Sequence, residues 1–218
     1  MAATAPLGVA ARMAGVMIPA DVVVSGTLWH GAAATRGHLA AWDSRVWESV
    51  LARRWVADVR VTGPETELAG QWALRPGAAT VAPLRGHMGW SLIEAVLPGL
   101  EIGCRTTAEV DVARAEIAPD ARSASGQLRL AAGTCARVDG TVTDVPLPAL
   151  IADFATTADG VGIAITGAEA PGLPLGTVVM TPDNRLRVTI FAAGAALVPG
   201  LPVGGDSQIE IPMALFSP

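Results

Sequence analysis

The chain has no lysine and no tyrosine, two cysteines, three histidines and, at 16%, few charged residues for its 218-residue length. Each shortage removes a class of function. All 15 basic residues are arginines, they are dispersed along the chain, and the net charge is −5, so neither a nucleic-acid footprint nor a polybasic membrane patch is present. Exclusive use of arginine beside abundant Ala, Gly, Val and Pro reads as the coding bias of a GC-rich genome. Without tyrosine, phenolic stacking and general-acid roles are closed. His30 and His38 have no acidic or cysteine neighbours at ligand spacing, and His87 stands alone, so no metal or other cofactor site is expected. There is no G-x-S-x-G, C-x-x-C, H-E-x-x-H, Walker or dinucleotide-binding glycine motif, which points away from an enzyme. Mean hydropathy is positive at +0.44, yet no window approaches the roughly 20 apolar residues of a membrane-spanning helix. The apolar start, Pro6 to Ile18, is broken by Arg12 and has neither the basic region nor the cleavage site of a signal peptide.

What is present is apolar material, 51% of the chain, arranged with a period of two in short runs bounded by Gly, Pro, Asp or Asn. In Ala57-Asp58-Val59-Arg60-Val61 the apolar residues take one face. Leu68, Gly70, Trp72 and Leu74 do the same, with Glu67, Gln71 and Arg75 opposite, and the two runs read as a hairpin. Further alternating runs lie at Val110–Val112, Leu128–Leu130, Val161–Ile165, Leu186–Ile190 and Ile209–Leu215. The fold class predicted is all-β: a mainly antiparallel, strongly curved sheet, half-barrel or open-barrel-like, with two or three short helices. Gly26, Gly70, Gly86, Gly126, Gly140 and Gly176 each open such a run one or two places before an apolar residue, a loose repeat that suggests a consistent curl; simple turn termination explains it equally well.

Two helices are predicted. Ser91 to Leu97 has Ser91 and Glu94 as a capping box and is stopped by Pro98-Gly99. Leu147 to Phe154 has Pro148 in its first turn and Leu150 paired with Phe154. The Gly99–Cys104 stretch separates two halves, so the expectation is a single domain over 1–218, pseudo-duplicated as about 20–100 and 101–218. The carboxylate pairs Glu65/Glu67 and Glu109/Asp111 fall on solvated strand faces rather than in a catalytic arrangement. All six tryptophans, Trp29, Trp42, Trp47, Trp55, Trp72 and Trp90, lie in the first half. They either line an interface or groove or form an aromatic core there, the latter being the simpler reading. Cys104 and Cys135 either form one disulfide, which would close a loop of about 30 residues and add about 3 to 4 kcal/mol, or are two buried thiols.

The run Val24-Ser25-Gly26-Thr27-Leu28-Trp29-His30-Gly31-Ala32-Ala33 resembles the G-T-[LV]-W-x-G-x-A signature near the start of the periplasmic domain of type II secretion system protein N. The order that follows is similar too: an apolar stretch with Trp42, a leucine- and arginine-containing segment ending at Trp55, a strand ending in Gly63, and glycine-led segments at Gly70 and Gly86. The likeness is good over roughly the first hundred residues and looser beyond. It implies a non-catalytic accessory component of the machinery that exports folded proteins across the outer membrane. Such a component is anchored in the inner membrane, mainly periplasmic, and touches the inner-membrane platform, the periplasmic linker and the secretin. Gly26, Thr27, Leu28, Trp29 and Gly31 would then carry fold rather than chemistry. Two departures stand out. The family's transmembrane helix is missing, Pro6 to Ile18 resembling the segment just beyond it. Cys104 and Cys135 lie outside the family pattern, and an oxidising periplasm would let them form a lineage-specific disulfide. A rival expectation is a lipid-binding or lipid-transport module, because a curled sheet with one apolar face could leave a groove for acyl chains, above all near Ala192-Ala193-Gly194-Ala195-Ala196.

Overall fold

The computed structural model describes residues 21–96, 102–118, 122–137, 140–141, 144–158, 160–181, 185–197 and 205–212. Strand-forming alternation dominates. The first half runs β1 (Val23–Gly26), β2 (His30–Thr35), β3 (His38–Ser44), helix α1 (Val46–Ala52), β4 (Trp55–Gly63), β5 (Thr66–Arg75), β6 (Ala78–Gly89) and helix α2 (Trp90–Val96). The second half continues with β7 (Ile102–Arg105), β8 (Thr107–Ile117), β9 (Arg122–Leu130), β10 (Gly133–Arg137), β11 (Val145–Leu147) and β12 (Leu150–Thr157). It ends with β13 (Gly160–Gly167), β14 (Ala170–Met180), β15 (Arg185–Ile190), helix α3 (Ala192–Ala195) and β16 (Ser207–Pro212).

Thirteen of these strands form one antiparallel sheet in the order β1-β2-β3-β4-β5-β6-β8-β9-β12-β13-β14-β15-β16, an open meander not closed into a barrel. The all-β, curved-sheet reading of the sequence is therefore correct, and the sheet runs without a break through both halves. The β4–β5 hairpin also forms as read, turning at Pro64-Glu65 with Gly63 paired to Thr66.

Register explains the two faces. Val61, Leu68, Gly86, Val110, Leu128, Ala152, Ile165, Gly176 and Ile190 stand in one line across the sheet. Two residues along, a parallel line holds Gly31, Trp42, Val59, Gly70, Leu84, Val112, Gly126, Phe154, Ile163, Val178, Val188 and Ile209. Between them, on the other face, run Arg60, Ala69, Arg85, Asp111, Gln127, Asp153, Ala164 and Thr177. A period of two thus sorts an almost wholly apolar face from a mostly polar one.

The buried centre of the apolar face is Leu68, Val110 and Val112, with Val61, Leu84, Met88, Leu128, Phe154 and, from α2, Leu92 against it. Leu68 is 5% exposed, and Leu68→Ala is expected to lower unfolding free energy by about 2 to 4 kcal/mol, read as a lower urea midpoint at unchanged slope.

The glycine repeat has a structural counterpart at several of its positions. Beside Gly70 the pairing shifts so that β6 carries Ala82 and Pro83 against the single Gln71; beside Gly126, β8 carries the extra Ala113; beside Gly176, β14 carries the extra Leu175. Bulges of this kind raise local twist and bend a sheet.

Three adjacent strands share a second interruption. β7 precedes β8 across Thr106, β10 follows β9 across Ala131-Ala132, and β11 precedes β12 across Pro148-Ala149; β7, β10 and β11 pair among themselves as a small separate sheet. This flap is the prolongation of β8, β9 and β12 beyond a common fold line. Thr106 pins the line, its hydroxyl donating to the Ala131 carbonyl at 2.6 Å while the Ala131 amide donates to the Thr107 carbonyl at 2.9 Å.

The helices differ from expectation. Residues 147–154 are not helical: Leu147 ends β11, Pro148 lies at the fold line, and Leu150 to Phe154 belong to β12. A Leu150/Phe154 spacing of four puts both residues on one face of a strand as readily as of a helix, and the tertiary pairing with β9 and β13 decides. The helix predicted from Ser91 exists as α2 but begins one residue early, at Trp90, so Ser91 sits in the first turn rather than at the cap and donates to the Pro64 carbonyl at 3.3 Å. Helix α1 had not been expected; its cap position, Arg45, makes no side-chain capping bond. The readings at Pro6–Ile18, Leu97, Pro98-Gly99, Val142, Met213 and Leu215 lie outside the described residues.

Candidate functional site

The motif residues form a turn that is tied to its neighbours from several sides. Gly26 adopts φ +87°, a conformation that favours glycine, and the Thr27 hydroxyl accepts the amides of Trp29 and His30, both at 3.2 Å. The Trp42 indole lies over Gly31, in the space a side chain would fill, and its N–H donates to the Thr27 carbonyl at 3.1 Å. The Leu28 carbonyl accepts from Ser44 at 2.7 Å and from the Trp55 indole at 3.2 Å, and the Trp29 carbonyl accepts the Ser44 amide at 2.7 Å. Gly26, Thr27, Leu28, Trp29 and Gly31 thus hold the β1–β2 turn to β3 and β4 through backbone groups, with no reactive group presented.

None of the six tryptophans is buried, so the first half has no tryptophan core. Trp29, Trp42, Trp55 and Trp90 are half-buried, Trp72 is 38% exposed on the apolar face, and Trp47 on α1 is 82% exposed. The structure does not bring them into one cluster: Trp42 and Trp55 converge on the first turn, whereas Trp90 sits at the start of α2 on the opposite rim.

The flap carries the cysteines. Cys104 on β7 faces Cys135 on β10 in direct register, and they are joined by a disulfide with Cα atoms 4.1 Å apart. Bridges of this kind are formed in oxidising compartments such as the periplasm. The flap leans toward α2, where a Cβ at Gly103 would meet the Glu94 carboxylate at 3.4 Å.

On the apolar face of the second half lies a cleft of about 190 Å³. Leu147 of the flap and Leu197 beyond α3 bound it on either side, and Leu150, Ile165, Val188 and Ile190 form its floor. The alanine-rich segment is folded here as α3, with Gly194 packed against the Leu175 carbonyl and Ala195 buried. It therefore walls the cleft rather than leaving it open. This closure was hidden in the sequence, because a run of Ala and Gly signals small volume but not whether a helix fills the space.

Charges elsewhere decorate the polar face. Arg45 bonds both carboxylate oxygens of Asp58 at 2.9 Å and reaches Glu48 at 3.3 Å, contacts that hold its guanidinium above its ordinary value. The hydrogen bond from Arg114, supported by Arg75 and Arg54, holds Glu116 below the usual carboxylate range despite its partial desolvation. A depressed carboxyl adds stability above its unfolded value and loses it as pH falls through the folded one, so this pair weakens only in acid.

Among the described residues no group of three or more His, Cys, Asp or Glu could hold a metal. His38 is buried, with Nε2 3.3 Å from the Ser91 hydroxyl, but its Nδ1 has no partner, so no carboxylate orients the ring as a catalytic triad requires. Among the described residues, no helix is long and apolar enough to cross a membrane.

Fold and site together define an open β-sheet protein with one apolar face and a disulfide-clasped flap. Comparison of the chain with protein-family models, with curated proteins and with solved structures finds no match.

Proposed function

We propose that this chain is the periplasmic part of an accessory component of a type II secretion system, similar to protein N, and that it serves as a non-catalytic binding scaffold anchored to the inner membrane in the full protein. The observation that carries the reading is the G-T-L-W-H-G run. Its residues are spent on holding the β1–β2 turn against Trp42 and Trp55, the structural part that the resemblance assigns to them. The Cys104–Cys135 bridge suits a periplasmic site of action. Within the described residues β1 and β16 edge the sheet, offering strand addition to the platform, the linker or the secretin. The test is deletion of the gene in the bacterium that encodes it, with fractionation of secreted proteins. Exoproteins held back in the periplasm and released again by complementation support the reading; an unchanged secretome sinks it.

One observation favours a second reading, a lipid-binding or lipid-transport module. The cleft between the flap and α3 is lined almost entirely by aliphatic side chains, and its size is comparable to apolar cavities of about 150 Å³ that hold small hydrophobic ligands. Native mass spectrometry of protein purified from a periplasm, followed by organic extraction, decides: a stoichiometric phospholipid or fatty acid establishes this reading, and a clean apo mass removes it.

A further inference from the structure

Among the described residues, six of the eleven exposed large apolar side chains gather at one place. Leu28 in the β1–β2 turn, Val46, Trp47, Val50 and Leu51 on α1, and Leu74 at the end of β5 all lie along one rim of the first half, and each is at least 39% exposed. On α1 the exposure is extreme, 82% for Trp47, 63% for Val50 and 84% for Leu51. These three occupy the outer face of the helix, while the inner face is fixed through Ser49, whose hydroxyl accepts the Val56 amide at 2.9 Å. A short helix held this firmly from beneath has no structural need of a tryptophan and a leucine in solvent.

The charges beside the patch point to its occupant. Arg45 at the start of the helix is neutralised by Asp58 and Glu48. Arg53, whose left-handed backbone (φ +51°) ends the helix, and Arg54 are both exposed; among the described residues neither closes a salt bridge, and Arg54 interacts only through space with Glu116. Arg53 is thus the charge left uncompensated at this end, with the exposed Arg54 beside it, and both are positive in a chain whose net charge is −5. An apolar ridge led by tryptophan and flanked by arginines, whose long stems can follow the apolar side chains down while their heads stay in water, matches the boundary between phosphate headgroups and acyl chains. A flat protein partner would call for a broader surface with balanced charge.

We propose that α1 and its rim dock this protein on an anionic lipid bilayer, with Trp47, Val50 and Leu51 entering the headgroup–acyl boundary and Arg53 and Arg54 meeting lipid phosphates. The proposal is independent of what the cleft on the sheet holds. Its probe is flotation of the full chain with phosphatidylglycerol-containing vesicles and with purely zwitterionic ones, together with quenching of tryptophan fluorescence by brominated acyl chains. The expected result is binding to the anionic vesicles that weakens with added salt and falls roughly tenfold or more in Trp47→Ala/Leu51→Ala. Arg53→Ala/Arg54→Ala should lose the preference for anionic vesicles, and Trp47→Phe should lose most of the bromine quenching. Leu173→Ala, also exposed but on another part of the sheet, should bind as the native chain does. All four variants lose only solvent-facing atoms, and circular dichroism checks that the sheet is intact. Binding kept by the Trp47→Ala/Leu51→Ala variant, or no binding of the native chain to anionic vesicles, overturns the proposal, and the second outcome assigns the rim to a protein partner.

Discussion

Gly86→Ala is expected to remove about 3 kcal/mol or more of stability, a large share of the roughly 5 to 15 kcal/mol typical of a folded domain. Gly86 lies mid-strand in β6, between Leu68 and Val110 in the central apolar line, at φ +135°, where side chains are rarely tolerated. A Cβ there would run into the Glu67 carbonyl of β5, which is backbone and cannot turn aside. Strain and collision therefore add, and they fall at the buried centre of the sheet. Gly140→Ala is the control. Its φ is also positive, +74°, but nothing lies within 4 Å, so only the conformational penalty of about 1 kcal/mol remains. Urea titration of both variants separates the terms; equal effects would mean that close approach to β5 is unimportant.

Cutting the bridge by Cys104→Ser/Cys135→Ser is expected to cost about 3 to 4 kcal/mol, the loop entropy associated with a sequence separation of 31 residues. The flap explains where the loss falls. Its strands have four, five and three residues, too short to persist as an isolated sheet. Without the bridge the flap should open at the Thr106–Ala131 line while the main sheet survives. Hydrogen exchange reads this directly: amides of 102–105, 133–137 and 145–147 should lose protection in the double variant or on reduction, and those of β4, β5 and β8 should keep it. Uniform loss of protection across the molecule would refute a separately opening flap.

The sequence disclosed the sheet because a solvated face and an apolar face impose alternation on every strand, and the β4–β5 hairpin could be drawn from Ala57–Val61 and Leu68–Leu74 alone. It misled at 147–154, where the fold line made by Pro148 looked like a helix start and Leu150 and Phe154 fit both periods. Helix α1 had a signal, since Val46, Trp47, Val50 and Leu51 stand at the i, i+1, i+4, i+5 spacing of one helix face, but the run is only seven residues long and its cap position, Arg45, carries no capping side chain. The Cys104–Cys135 bridge was one of two open readings of the sequence, because two cysteines carry no compartment signal, and the direct register of β7 with β10 decides it. The cleft was legible in kind but not in full: the alanine-rich segment marked the right end of the molecule, yet the apolar side chains that bound it come from the five successive strands β11 to β15 and from Leu197, which only the sheet pairing brings together.

All but two neighbouring pairs of the main sheet are consecutive along the chain. A polypeptide emerging N-terminus first, from a ribosome or through a translocation pore, can therefore lay each new strand on the one just placed, with no early segment waiting for a distant partner. The exception is the flap. There Cys104 must stay reduced and reachable through the synthesis of 31 further residues before its partner arrives, so oxidation is the one step of assembly that the order of emergence cannot complete by itself.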